Sequence, residues 1–474
     1  MKKVLSFALS MVLLFGSSLL ALPAAAAIQT EKSLQAIPST VSGAYIVMDA
    51  KTGQILIEKN MDQQEYPASI TKILTAAMAL EVGDPSDLYT ITQEDVFSYK
   101  FPGTTYVALT HDEVVPVEAL LYGTLMASAN DAANCLGSYA ASKAGVSETD
   151  ENGTQSYVKG FVTMMNNKLK EIGATNTNFT NAHGLHDQNH YTTARDMALI
   201  TKYALEVEGF RDYFGAIEYT MAPTNMQPEQ RKWGTQAGIF TPSNKYYFEG
   251  ATGAKLGFTD EAGHTMVSVA ERNGREFICV VLACPQGEWT DHKDSINLLN
   301  YCFDNFEKIT FTADELKQKS VPIYKDGEIS EKAKVTAKED YSLELHRLLK
   351  KEDIKIVSNA PGRFQSGDRM SVSLHFSLNK AAEKKVANYM YTNLGTLPLT
   401  VTEAPLVEET KKTGFDFSGI WEAVKKCFKI VLWIFLALVI LIIILRIYNT
   451  RRYRKLAAKR KAAKRRRQTP THRP

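Results

Sequence analysis

Cysteine is scarce, with five residues in 474. Cys135, Cys279, Cys284, Cys302 and Cys427 fall at none of the spacings of a disulfide framework, so the fold is not a cross-linked scaffold. They read as small buried hydrophobes, with Cys427 a lipidation candidate at a membrane edge. Histidine is also sparse, nine in all, and His111 and His190 lack a companion at metal-ligand spacing. No metal or organic cofactor is expected. Excess charge of one sign is missing too, since 55 Lys and Arg face 52 Asp and Glu for a formal +3. That balance hides an asymmetry. Thirteen basic and no acidic residues lie from Arg446 onward, which leaves the rest of the chain near −10. Apolar content of 45% suffices for one large core and one small one.

The long hydrophobic runs stand at the two ends. Met1-Lys2-Lys3, the apolar stretch Val4–Leu22 and the small residues Ala24–Ala27 form a secretory signal over 1–27, with the mature chain starting at Ile28. Ile430–Leu445 contains no polar residue. Extended to Phe428–Tyr448, it makes a helix of about 31 Å against a hydrocarbon core of about 30 Å, with Lys429 and Arg446 able to snorkel. A transmembrane helix is expected over 428–448 and a cytoplasmic basic tail over 449–474. The tail suits anionic lipid headgroups; nucleic-acid binding is not expected.

Between these ends, Ser69-Ile70-Thr71-Lys72 follows two predicted strands, Ala44–Asp49 and Gln54–Glu58, and precedes a helical stretch, Ile73–Leu80. The spacing puts a hydroxyl and an amine on one helical face. A serine becomes nucleophilic only when a base takes its proton, and lysine serves only when neutral. Bringing its pKa from about 10.4 to near 7 takes burial and a neighbouring cation. Ser128-Ala129-Asn130 offers a second hydroxyl and an amide. Lys255-Leu256-Gly257, on a predicted strand Gly253–Thr259, offers the second cation and a glycine beside which a substrate backbone can pair.

This set resembles the serine D,D-carboxypeptidases, the low-molecular-weight penicillin-binding proteins related to β-lactamases. Tyr66–Lys72, Ser128–Ala132, Asn176–Thr180 with His183-Gly184-Leu185, and Thr193–Ala198 all look like that family, over roughly residues 40–310. The resemblance implies an α/β (α+β) catalytic domain with an antiparallel sheet flanked by helices. It implies Ser69 as nucleophile, Lys72 as its base, Ser128 as proton relay, Asn130 as substrate clamp and Lys255 as electrostatic anchor. Gly257, Phe258 and Thr259 would line the substrate, with the amides of Ser69 and Phe258 as oxyanion hole. The reaction implied is removal of the terminal D-alanine from peptidoglycan stem pentapeptides, with β-lactams as covalent inhibitors. The setting is a bacterial cell membrane with the catalytic domain outside. A weakly active cell-wall-binding scaffold, a D,D-endopeptidase and a β-lactamase are the alternatives.

One departure stands out. Leu256 occupies a place where the family usually has Thr or Ser to hold the substrate carboxylate, and leucine donates no hydrogen bond. Thr259 is a stand-in for that hydroxyl; the family's downstream arginine is also missing, leaving His292 or Lys293 as substitutes, and slower turnover or weaker β-lactam acylation than the family norm is expected. Lys51-Thr52-Gly53 reads as a hairpin turn and Ser295-Ile296-Asn297 as helix surface. His183 reads as structural, Arg195 and Asp196 as braces of the helix running to Ala204, and Tyr246 and Tyr247 as core or rim. Beyond the catalytic domain (28–310), the alternating Ser371–Leu378 with Val335–Ala337 and Ile354–Val357 predicts a small β-rich C-terminal domain over 311–402, and 403–427 reads as a linker.

Overall fold

The computed structural model describes residues 36–96, 104–149, 153–287, 289–365 and 371–404, which belong to one compact unit ending at Ala404. The expected signal, linker, membrane helix and tail lie outside the described residues. Among those described, no helix is long and apolar enough to cross a membrane.

A five-stranded antiparallel sheet organises the chain. Its strands are β1 (Ala44–Asp49), β2 (Ile55–Lys59), β3 (Ala251–Thr259), β4 (Gly263–Arg272) and β5 (Arg275–Cys284), in the order β2-β1-β5-β4-β3. The central strands read as nearly unbroken apolar runs because both of their faces are buried. Ile46, Met48, Ile278 and Val280 enter one core, while Tyr45, Val47, Phe277 and Cys279 enter the other. The edge strand β3 carries the lysine and glycine of the third motif.

The first core is built by helices α1 (Lys72–Val82), α2 (Val117–Leu125), α3 (Asn130–Ala144), α4 (Tyr157–Glu171) and α5 (Ala194–Glu206). Every residue of α1 from Lys72 to Ala79 is buried, the mark of a helix inside a domain. It stops at Gly83, where a Cβ would fall 2.2 Å from the Tyr139 hydroxyl. Helix α3 ends in a left-handed Gly145, φ 67°, which satisfies its last carbonyls. Thr193 caps α5, and Arg195 pairs with Asp62. Asp196 accepts from the Asn176 amide and Thr177 hydroxyl, so both residues brace the helix.

The second core lies under α6 (Thr290–Asn305) and the C-terminal strands. The predicted strands there appear as Glu328–Thr336, Ile354–Ser358 and Val372–Leu378, the last with alternate residues Val372, Leu374, Phe376 and Leu378 buried. Ser295 corrects its expected surface position: it is fully buried on α6, facing the Cys279 thiol of the sheet. Cys135, Cys279, Cys284 and Cys302 are buried and unbridged.

Gln54 fastens the β1–β2 hairpin to the strand Tyr341–His346 as a ladder rung would. Its amide nitrogen donates to the Glu344 carbonyl and its oxygen accepts the Glu344 amide, both at 2.8 Å. Replacing Gln54 by Ala strips both buried groups of their partner, and each such loss costs about 1–3 kcal/mol. A Gln54→Ala variant is expected to unfold at clearly lower urea concentration, read by far-UV circular dichroism.

Candidate active site

Ser69 sits in a tight 3-10 turn, Ala68–Thr71, that leads directly into α1. In such a turn residues three apart eclipse one another, so Ser69 lies over Lys72. The turn is strained and strapped. Ala68 has φ 51°, a left-handed conformation that costs a non-glycine residue about 1–3 kcal/mol. The Thr265 hydroxyl donates to the Pro67 carbonyl at 2.8 Å, and the Thr71 hydroxyl donates to Ala68 O at 2.9 Å. With its proton so used, Thr71 Oγ1 accepts from His190 Nε2, leaving His190 Nδ1 to accept the Thr180 amide at 3.0 Å. Burial pushes the His190 imidazole down to about 3, so it stays neutral and structural. Gly184, φ 88°, presses so close to Ala68 that a Cβ would fall 1.9 Å from the Ala68 oxygen.

Lys72 is fully buried. Its Nζ lies 2.7 Å from His183 O, 2.8 Å from Asn130 Oδ1 and 2.9 Å from Ser69 Oγ, all within hydrogen-bond distance. Burial first, then the charge of Lys255, hold its pKa well below the ordinary lysine value, and Asp131 opposes them. His183 contributes through its backbone oxygen, while its own ring nitrogen Nδ1 accepts the Leu185 amide.

Ser128 occupies a second left-handed position, φ 58°, at the head of α3. The segment is pinned from above. The Asn130 amide donates to Thr105 O at 2.8 Å, and the buried Asp131 carboxylate accepts the Val107 and Leu109 amides. Lys255 reaches in from β3, donating to Ser128 Oγ at 2.8 Å and to Leu256 O at 2.9 Å. Burial lowers its pKa to about 7.

Gly257 touches the Ser69 turn directly. A Cβ there would fall 2.8 Å from the Ser69 amide nitrogen and 2.4 Å from Thr265 Oγ1, so only glycine lets the strand approach. Phe258 is 46% exposed, and Thr259 Oγ1 accepts the Ala262 amide at 3.0 Å. Of the possible stand-ins at the helix, His292 is buried with Nδ1 against Asp291. Lys293 lies by the Tyr246 ring, 6.0 Å from its centre. Tyr246 is buried and Tyr247 is at the rim. Among the described residues no group of three His, Cys, Asp or Glu side chains is arranged to hold a metal.

The structure thus gathers Ser69, Lys72, Ser128, Asn130, Lys255 and Gly257 into one place. Sequence reasoning missed the His183 carbonyl, the Asp131 pin and the Thr71–His190 strap. Only the neighbouring His183-Gly184-Leu185 signature hinted at the first.

A family model described as D-alanyl-D-alanine carboxypeptidase matches residues 30–286. The D-alanyl-D-alanine carboxypeptidase DacF of Bacillus subtilis is 26% identical over 427 residues, covering 88% of this chain and 96% of its own. DacA of Haemophilus influenzae is 30% identical over 278 residues, covering 57% of this chain, which spans 64% of that relative's length. The crystal structure of penicillin binding protein 5 from Haemophilus influenzae superposes with a TM-score of 0.59 at 25% identity, over 77% of this chain and 97% of that one. Since the family's model accounts for more than half of its residues, the chain belongs to the Peptidase S11 family of D-alanyl-D-alanine carboxypeptidases.

Proposed function

We propose that the protein is a serine D-alanyl-D-alanine carboxypeptidase that trims stem pentapeptides of peptidoglycan through an acyl-enzyme on Ser69. The observation that carries this reading is the set of partners around Lys72 Nζ. Two of them, His183 O and Asn130 Oδ1, can only accept. A neutral amine has two protons, and these two acceptors consume both. The lone pair then points at the third partner, the Ser69 hydroxyl. Burial and Lys255 favour that neutral form.

Ser69 Oγ attacks the carbonyl of the penultimate D-alanine as its proton passes to Lys72. The developing oxyanion is held by the amides of Ser69 and Phe258, a donor of this kind contributing about 10²–10³ in rate. Ser128 Oγ accepts from Lys255, so its own proton is free to reach the departing amine, and the proton that Lys72 took from Ser69 replaces it. Water then resolves the ester. A β-lactam amide enters the same path and leaves a stable ester on Ser69. Asn130 Nδ2 and the free edge of β3 hold the substrate backbone.

The ends of the sequence support an extracellular, single-pass placement, with export directed by 1–27 and anchoring by 428–448. In this reading 28–310 is the catalytic domain and 311–402 a stalk, joined to the membrane helix by 403–427. The basic tail 449–474 lies against anionic lipid on the cytoplasmic side.

Two measurements test the reading. Membranes carrying the wild-type chain are expected to label with fluorescent penicillin and to release D-alanine from a pentapeptide, with Ser69→Ala abolishing both. Labelling without release favours a tethered binding scaffold.

The second test reads pH. Lys255 falls to about 7 in the folded protein, whereas an unfolded lysine titrates near 10.4. Between those values the unfolded chain binds a proton that the folded one refuses, so stability rises with pH through that window. Below about 7 the full penalty, about 5 kcal/mol, is in place. Lys255→Met is expected to be inactive, to melt higher than wild type at pH 7, and to lose much of the wild-type rise in melting temperature between pH 7 and 10.

A further inference from the structure

The speed of acyl transfer depends on how closely two hydrogen-bond donors converge on the oxygen that becomes negative, and a displacement of about 1 Å forfeits much of their value. This inference rests on the function proposed above, which makes the amides of Ser69 and Phe258 those donors. They belong to separate elements. Ser69 lies in the turn Ala68–Thr71 ahead of α1, while Phe258 lies near the end of the edge strand β3. Something has to set the gap between them.

Gly257 cannot set it alone. A Cβ there would fall 2.8 Å from the Ser69 amide nitrogen, so the strand comes near the turn because a side chain is missing, and bare backbone fastens nothing. The fastener comes from the adjacent strand. Thr265 on β4 is the register partner of Gly257, which puts its side chain on the same face of the sheet, the face that meets the Ser69 turn. It is fully buried. Its Oγ1 would lie 2.4 Å from a Cβ on Gly257, and the same hydroxyl donates to the Pro67 carbonyl at 2.8 Å. One atom thus meets both halves. Phe258 directly follows the glycine against which Thr265 rests, and Ala68 alone separates Ser69 from the residue whose carbonyl it holds. Ala68 is left-handed, φ 51°, a conformation that persists only where its surroundings over-determine it. The Thr71–His190 bond and the Gly184 contact hold the turn to the segment 180–190. Thr265 holds it to the sheet that carries Phe258, and branching at Cβ restricts the rotamers open to its hydroxyl.

We propose that Thr265 is the positioning residue of the oxyanion hole, its hydroxyl setting the gap between the Ser69 and Phe258 amides without touching substrate. Its loss is felt where the reacting carbon is tetrahedral, and not where a substrate is merely bound.

The test uses the full-length chain in detergent, with rates expressed per penicillin-titrated site. Benzylpenicillin gives a non-covalent dissociation constant and an acylation rate constant; an N-acyl-D-boroalanine, whose boron takes Ser69 Oγ as a fourth ligand, mimics the tetrahedral intermediate. Thr265→Val keeps the shape and loses the hydroxyl. It is expected to slow acylation tenfold or more, part of the roughly 10²–10³ that a lost donor costs, and to weaken the boronic acid by a similar factor with the dissociation constant of penicillin unchanged. Thr265→Ser keeps the donor and is expected to stay near wild type in all three. Thr265→Cys, a weaker donor of similar size, is expected to fall between them and decides the matter if the valine variant does not fold. Acylation and boronic acid affinity that match wild type in the valine or cysteine variant, a loss confined to the dissociation constant, or a serine variant as slow as valine overturns the proposal alone. A wild type that neither takes penicillin nor releases D-alanine from a pentapeptide overturns the carboxypeptidase reading with it.

Discussion

A lysine amine sealed from water at the first residue of an apolar helix is the constraint around which this structure is arranged. An isolated ammonium there would be strongly penalised, and the fold answers by supplying two fixed acceptors and a nearby hydroxyl instead of a carboxylate partner. A carboxylate in contact would have favoured the charged form of Lys72. Asp131, the acidic residue whose field reaches it, has its oxygens engaged by the Val107 and Leu109 amides. It steadies the loop over the site while its charge is partly spent.

The second lysine makes sense in the same terms. Lys255 lies on a different element, yet its charge is among the causes that depress Lys72. Two buried amines cannot both hold protons cheaply. Such an arrangement destabilises the folded chain and has to be offset elsewhere. The sheet does that by burying both faces of its central strands, and the strained backbone at Ala68 and Ser128 is tolerated for the same reason. Each strained residue lies next to a working hydroxyl or is one. Thr265, Thr71 and Gly184 lock the first, and the Asn130 amide and Asp131 lock the second.

Much of this was legible before any coordinates. The strand run Ala44–Asp49 is apolar without alternation up to its last residue, which is how a strand covered on both sides reads, and the Ser69–Lys72 spacing brought a hydroxyl to an amine. What stayed hidden has a common cause. The His183 carbonyl and the Thr105 carbonyl act through backbone atoms, which every residue possesses. The left-handed turns at Ala68 and Ser128 fall on residue types that do not advertise them, whereas Gly184 does. Ser295 misled because a hydroxyl on a helix reads as surface, and here it meets a buried thiol.

The leucine in the third motif shows how fold and site can pull in different directions at one residue. Position 256 faces the second core, so the strand gains from an apolar side chain there, roughly 1.5–3 kcal/mol for a fully buried leucine and less for one only partly covered. Lys255 and Gly257, pointing the other way, serve the site and contribute nothing comparable to packing. Alternation thus lets one strand carry a chemical face and a structural face with little interference. What the strand gives up at that position is a hydroxyl, since leucine donates no hydrogen bond.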